Sequence, residues 1–147
     1  MRYSYPQETL SEVPGEISLA LSISGCDLGC KCCHSTETWN HNFGTELDER
    51  EMERLLQKHK FCTCVVFYGG EWDIDNLQKM IKMCHFYNKK VCLYTGRDLN
   101  YFSSDFLQSL EYIKVGKYIK EMGGLQSNTT NQKFYDLSNN KEVIFYQ

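Results

Sequence analysis

Short runs of apolar and β-branched residues alternate along this chain with segments whose apolar positions recur three and four residues apart. Glu16 to Ile23 (EISLALSI) predicts a strand ending at Gly25, followed by a cysteine-rich loop to about Trp39. Thr45, with Asp48 three residues on, reads as the N-cap of a helix carrying Leu47, Met52, Leu55 and Leu56 at helical spacing to about His59. Cys62 to Tyr68 (CTCVVFY) predicts a second strand, stopped by Gly69 and Gly70. Asp73 to Tyr87 predicts the next helix, with Leu77, Met80, Ile81 and Cys84 on one face. Val91 to Tyr94 follows as a strand ending at Thr95-Gly96, then a short helix near Ser104 to Leu110 and a strand at Tyr112 to Val115. After Gly123-Gly124 come a polar loop, SNTTNQ, and a last strand at Val143 to Tyr146.

Strands alternating with helices imply an α/β fold of βα units around a mainly parallel sheet. In such sheets ligands bind beyond the carboxyl ends of the strands. Three strands here end in Gly-Cys, Gly-Gly-Glu and Thr-Gly, so all three endings are expected to face one crevice.

Composition narrows the class. The 147 residues suit one domain, and no repeat, low-complexity run or Pro/Ser linker divides them, so residues 1–147 are read as a single domain. Hydrophobic residues make up 41% and charged residues 24%, as in globular proteins. The net charge of −3 argues against nucleic-acid binding, which needs a surplus of Lys and Arg. Ile17 to Ile23, the longest nearly apolar stretch, is too short to span a bilayer, and MRYSYPQETL lacks the apolar core of a signal peptide. A cytoplasmic protein with no membrane partner is expected. The eight cysteines are then reduced thiols, held by metal or by burial.

The densest chemistry is GCDLGCKCCH, Gly25 to His34. Cys26, Cys30 and Cys33 form a CxxxCxxC pattern with Cys32 as an extra thiol inside it. Thiolates at this density favour a soft metal or an iron–sulfur cluster. Three other readings compete. The thiols fit one buried helix face, although Gly25 and Gly29 suit a loop better. A structural zinc needs a fourth ligand, which His34 or Cys32 would supply. Cys30 to Cys33 also contains the CxxC of a redox dithiol. A [4Fe-4S] cluster held by three cysteines leaves one iron without a protein ligand.

At this point the sequence resembles the radical S-adenosylmethionine (SAM) enzymes, which carry CxxxCxxC just after the first strand. Cys32 stands where that family usually has an aromatic residue. Gly69-Gly70-Glu71, at the end of the second strand, is similar to the family's GGE or GGD triplet. Pro14-Gly15, Cys33 to Trp39 (CHSTETW), Tyr94-Thr95-Gly96, Tyr112 to Tyr118 (YIKVGKY), GGL and SNTTNQKFYDL together resemble one group, the activating proteins of anaerobic (class III) ribonucleoside-triphosphate reductase. The resemblance runs from about Pro14 to Leu137.

That resemblance implies an incomplete (βα) barrel of the radical SAM type, open on one side. It implies one [4Fe-4S] cluster on Cys26, Cys30 and Cys33, with SAM chelating the open iron. Gly69, Gly70 and Glu71 would hold the methionyl amine, and a Cβ at Gly70 would intrude on the methionyl group. Cys32 and His34 would lie near the adenine, and Thr95 is a further SAM candidate whose alternative role is a capping or turn hydroxyl. An external one-electron donor would reduce the cluster, SAM would split to methionine and a 5′-deoxyadenosyl radical, and that radical would take hydrogen from a glycine Cα of the reductase. No general acid or base is needed, so no catalytic side chain is implied. Other readings are an activase of another glycyl-radical enzyme, a small-molecule radical SAM enzyme, and a zinc-stabilised binding module.

The remaining features have plainer readings. Cys62 and Cys64 are expected on one face of their strand, with Cys84 and Cys92 at core positions, as buried thiols. Lys114, Lys117 and Lys120 are read as a solvated edge or a basic strip toward the partner. His41, His59 and His85 have no assignable ligand partners in sequence. Trp39 and Trp72 are packing anchors near the site.

Overall fold

The computed structural model describes residues 1–26 and 36–146. Eight strands form one sheet: β1 (Arg2–Thr9), β2 (Ser18–Ile23), β3 (Thr45–Glu46), β4 (Cys64–Tyr68), β5 (Lys90–Tyr94), β6 (Tyr112–Val115), β7 (Lys133–Asp136) and β8 (Lys141–Val143). Their order is β3-β1-β2-β4-β5-β6-β7-β8. The central four, β2, β4, β5 and β6, run parallel, and the flanking strands pair antiparallel on both sides. The helices α1 (Glu49–Lys58), α2 (Ile74–Phe86) and α3 (Ser104–Gln108) lie in the connections between the parallel strands.

The parallel strands and the three helices fall where the periodicity puts them. The N-terminus of α1 differs. Asp48, not Thr45, is the cap, its side chain accepting the Glu51 N–H at 2.8 Å, while Thr45 pairs with Tyr3 in β3. Glu49 and Glu51 in the first turn and Lys58 in the last suit the helix dipole. The final strand is earlier than Val143 to Tyr146, at Lys141–Val143. Strands β1, β3 and β7 have no counterpart in the sequence reading, so the sheet is mixed rather than mainly parallel.

Period-two alternation gives the sheet two unlike faces. Leu19, Leu21, Ile23, Val65, Phe67, Val91, Leu93 and Ile113 point to one face and pack with Met52, Leu55 and Leu56 of α1 and Leu77, Met80 and Ile81 of α2. Each such side chain contributes roughly 1.5–3 kcal/mol by leaving water, so this layer anchors the fold. The other face carries Ala20, Cys64, Val66, Cys92 and Phe134, with Val13, Leu125 and Phe145 from loops and the C-terminal segment packed there. No helix covers that face among the described residues.

Cys62 and Cys64 part company here: Cys62 joins the helix-side core and Cys64 the opposite cluster, because Cys62 precedes the strand and does not follow its alternation. All of Cys62, Cys64, Cys84 and Cys92 are buried. Desolvation pushes the Cys62 thiol up to about 11 and Cys64 up to about 12, and raises Cys84 and Cys92 as well, so they sit as neutral thiols. No helix among the described residues is long and apolar enough to cross a membrane.

Candidate functional site

Strand register sets one layer of side chains at the carboxyl ends of the parallel strands. Ser22 pairs with Tyr68, Tyr68 with Tyr94, Tyr94 with Lys114, and Lys114 with Phe134 of β7. All five alternate to the face that lacks helices. Tyr68 and Tyr94 meet edge to face at 5.3 Å between centroids, and the Lys114 ammonium stands 5.7 Å from the Tyr94 ring centre. Lys114 also donates to the Gly116 carbonyl at 3.3 Å, and the Tyr94 hydroxyl donates to the Glu12 carbonyl at 2.5 Å. Desolvation, with a smaller contribution from Glu12, raises both tyrosines far above their ordinary value. They are neutral phenols at any physiological pH.

Just beyond this layer the strands turn, and the glycines there are tied to specific neighbours. At the end of β2, Gly25 (φ +109) donates its N–H to the Thr38 carbonyl at 2.6 Å, and a Cβ on it would meet His41 Nδ1 at 2.6 Å and Trp72 Nε1 at 2.7 Å. Cys26 follows directly. At the end of β4, Gly69 (φ +88) continues the ladder by donating to the Tyr94 carbonyl at 2.9 Å, and its missing Cβ leaves room for the Trp72 ring. That ring is fixed by Trp72 Nε1 donating to the Ser24 carbonyl at 3.0 Å, which links the ends of β2 and β4. Gly70 (φ +109) then turns the chain into a short 3-10 helix, Glu71–Asp73.

Glu71 is 2% exposed, and Thr95 at the end of β5 donates from Oγ1 to Glu71 Oε1 at 2.9 Å. The same hydroxyl accepts the Arg97 N–H at 3.0 Å. Thr95 thus does both jobs of a turn hydroxyl and a carboxylate partner.

Around these strand ends lies a cavity of about 1170 Å³, whose walls include Cys26, Gly69, Glu71, Thr95, Gly96 and Lys114. Loop residues Leu125, Gln126 and Gln132 line it from the far side, Glu12 and Gln7 from the N-terminal segment, and Trp39 and Trp72 from the loop flank. Three of the expected strand endings therefore meet at one cavity. Gly70 does not line it: a Cβ there would face Leu77 at 3.4 Å and Ile23 at 3.5 Å, in the helix-side core. The expected clash of a Gly70 side chain with a bound ligand is accordingly replaced by backbone strain. Cys30, Cys32, Cys33 and His34 lie outside the described residues.

Matching against protein families aligned residues 14–144 with the 4Fe-4S single cluster domain. The chain belongs to that family. Comparison with curated proteins and with solved structures found no match. A 4Fe-4S single cluster domain is an iron–sulfur protein, and the donor set here fits one: Cys26, partly exposed, sits on the cavity wall at the start of CxxxCxxC.

Several cavity residues have no place in the motif reading. Tyr68, Tyr94 and Lys114 are each the last or next-to-last residue of a parallel strand. Their direction follows from the register of the neighbouring strands, which no motif carries. Lys114 shows what this changes: it is 9% exposed and faces the cavity, while Lys117 and Lys120 are exposed, so the three form no strip. Glu12 and Gln132 come from loops, where no periodicity reports direction.

Proposed function

We propose that this iron–sulfur protein is a radical SAM activase that generates a glycyl radical on anaerobic ribonucleoside-triphosphate reductase. The observation that carries the reading is the meeting of Cys26, Gly69, Glu71 and Thr95 at the ends of three adjacent parallel strands, around one cavity. Cys26, Cys30 and Cys33 would hold the [4Fe-4S] cluster, and Gly69, Glu71 and Thr95 would line the SAM site. Bound together, cluster and SAM supply reductive cleavage of the sulfonium, with the electron drawn from an external donor.

The chain's own residues then bind and exclude water. Tyr68 and Tyr94 give the cavity an apolar aromatic floor, Lys114 a fixed cation, and Glu71 a buried carboxylate held in place by Thr95. The cavity exceeds the roughly 300–1,000 Å³ usual for small-molecule sites, which leaves room for a peptide loop beside the cofactor. In this reading β2, β4, β5 and β6 are the incomplete barrel, their helix-free face being its interior, and the protein works in the cytoplasm.

The test is anaerobic incubation of the reduced protein with SAM and the cognate reductase. A doublet in the electron paramagnetic resonance spectrum, from a glycyl radical coupled to one α-hydrogen, is expected. SAM cleavage without that doublet would leave a radical SAM enzyme with a different substrate.

A further inference from the structure

At the amino ends of the parallel strands, on the helix side of the sheet, three side chains of different chemistry converge. Glu8 comes from β1, His59 from the C-terminal cap of α1, and Cys62 from the turn leading into β4. Glu8 Oε2 lies 3.2 Å from His59 Nδ1 and 3.4 Å from Cys62 Sγ, and the three donor atoms all fall within 4.8 Å of one another. We propose that Glu8, His59 and Cys62 form a binding site for a divalent transition-metal cation of the zinc type, separate from the cluster site.

Geometry supports this on three counts. Bonds of about 2.0–2.3 Å in a tetrahedral zinc site put neighbouring donor atoms about 3.3–3.6 Å apart, close to the two Glu8 separations. The His59–Cys62 pair is preorganised by the backbone: the His59 N–H caps α1 on the Leu55 carbonyl at 2.9 Å, and the Cys62 N–H closes a turn on the His59 carbonyl at 3.0 Å. A pair of ligands three residues apart on a tight turn is the arrangement zinc sites reuse. Lys89 Nζ fixes the same turn by donating to the Lys60 and Cys62 carbonyls at 2.8 and 2.5 Å.

Burial is graded to match. Cys62 is 2% exposed, the His59 side chain 15% and the Glu8 side chain 53%, so the cluster of donors opens to water on the Glu8 side. Water would complete four-coordination there. On binding, the Cys62 thiol proton passes to solvent as Sγ bonds the metal, with no change of oxidation state. The mixed S, N and O donor set excludes magnesium and calcium, which take oxygen ligands. The cation would staple β1 to α1 and β4. Because Tyr5 and Gln7 of that same bulged strand line the cavity, the staple also steadies its wall.

The test is zinc binding by the cluster-loaded full-length protein, read by metal analysis after dialysis and by X-ray absorption at the zinc edge. One zinc per chain is expected, with one sulfur and two or three nitrogen or oxygen neighbours, and a rise in melting temperature. Cys62→Ser and His59→Ala should lose the zinc, and exposed Glu8→Gln should weaken its retention. Absence of bound zinc would overturn the site. So would a shell of three sulfurs, which would place zinc on the CxxxCxxC thiols, or a zinc content indifferent to the Cys62, His59 and Glu8 substitutions.

Discussion

Thr95 Oγ1 donates to Glu71 Oε1 at 2.9 Å, and this bond joins the ends of β4 and β5 at the cavity wall. A carboxylate at 2% exposure gains from such a donor, since a hydrogen bond to a charged group contributes about 1.5–3 kcal/mol. Thr95→Val keeps the shape and removes the donor. It should weaken SAM binding by about 10- to 100-fold, the equivalent of that energy, while iron content stays constant. Thr95→Ser should restore most of the affinity. Calorimetric titration of SAM into the three proteins checks this; equal affinities would remove Glu71 from the site.

The cluster ligands separate by stoichiometry. Cys26→Ala, Cys30→Ala and Cys33→Ala should each abolish the cluster, and Cys32→Ala should leave it in place. Iron and sulfide counts after anaerobic reconstitution decide the matter. Cluster loss confined to the Cys32 variant would reverse the ligand assignment.

The two strand-end glycines should fail in different ways. In Gly69→Ala the new methyl displaces the Trp72 ring and with it the bond to the Ser24 carbonyl, so SAM affinity should fall. In Gly70→Ala the methyl meets only Leu77 and Ile23 at ordinary contact distance, and the cost is the left-handed backbone, about 1–2 kcal/mol of stability. Urea unfolding and SAM titration on both variants should show this division. A Gly70 variant of native stability that has lost SAM would contradict it.

Glu51 anchors the first turn of α1. The Arg54 guanidinium, bonded to both its oxygens at 2.7 and 2.8 Å, holds its carboxyl down at about 2, from an ordinary 4.5, and the Tyr3 hydroxyl also donates to it. A depressed folded-state pKa stabilises above the unfolded value and is lost as pH falls through the folded one. Glu51→Gln should therefore cost about 1–2 kcal/mol near neutrality, discounted for the half-exposed Arg54, and the difference from wild type should fade between pH 4.5 and 2. Parallel urea titrations of the two proteins measure it; a pH-independent difference would point to lost packing instead.

What could be read from sequence follows from burial. The parallel strands are buried on both faces, so their apolar runs and glycine stops are strong signals, and Tyr112–Val115 was legible to the residue. Strand β1 carries Pro6 and mostly exposed polar side chains, with Tyr3 its one buried residue, so it reads as a tail. Strands β3 and β7 are short and pair antiparallel beside polar loops, with little of their own to alternate. The Gly-Gly-Glu and Thr-Gly endings were legible because few residues turn a chain there. The Lys114 and Tyr94 side chains were not, since their direction depends on register set by neighbouring strands.

In the proposed function, cluster and SAM would share one cavity at the strand ends. Electron paramagnetic resonance of the reduced protein, recorded before and after saturating SAM, tests that most directly. The prediction is a change in the cluster signal, in the wild type and in Cys32→Ala alike, because SAM would take the iron that three cysteines would leave open. A cluster spectrum unmoved by saturating SAM would contradict the account.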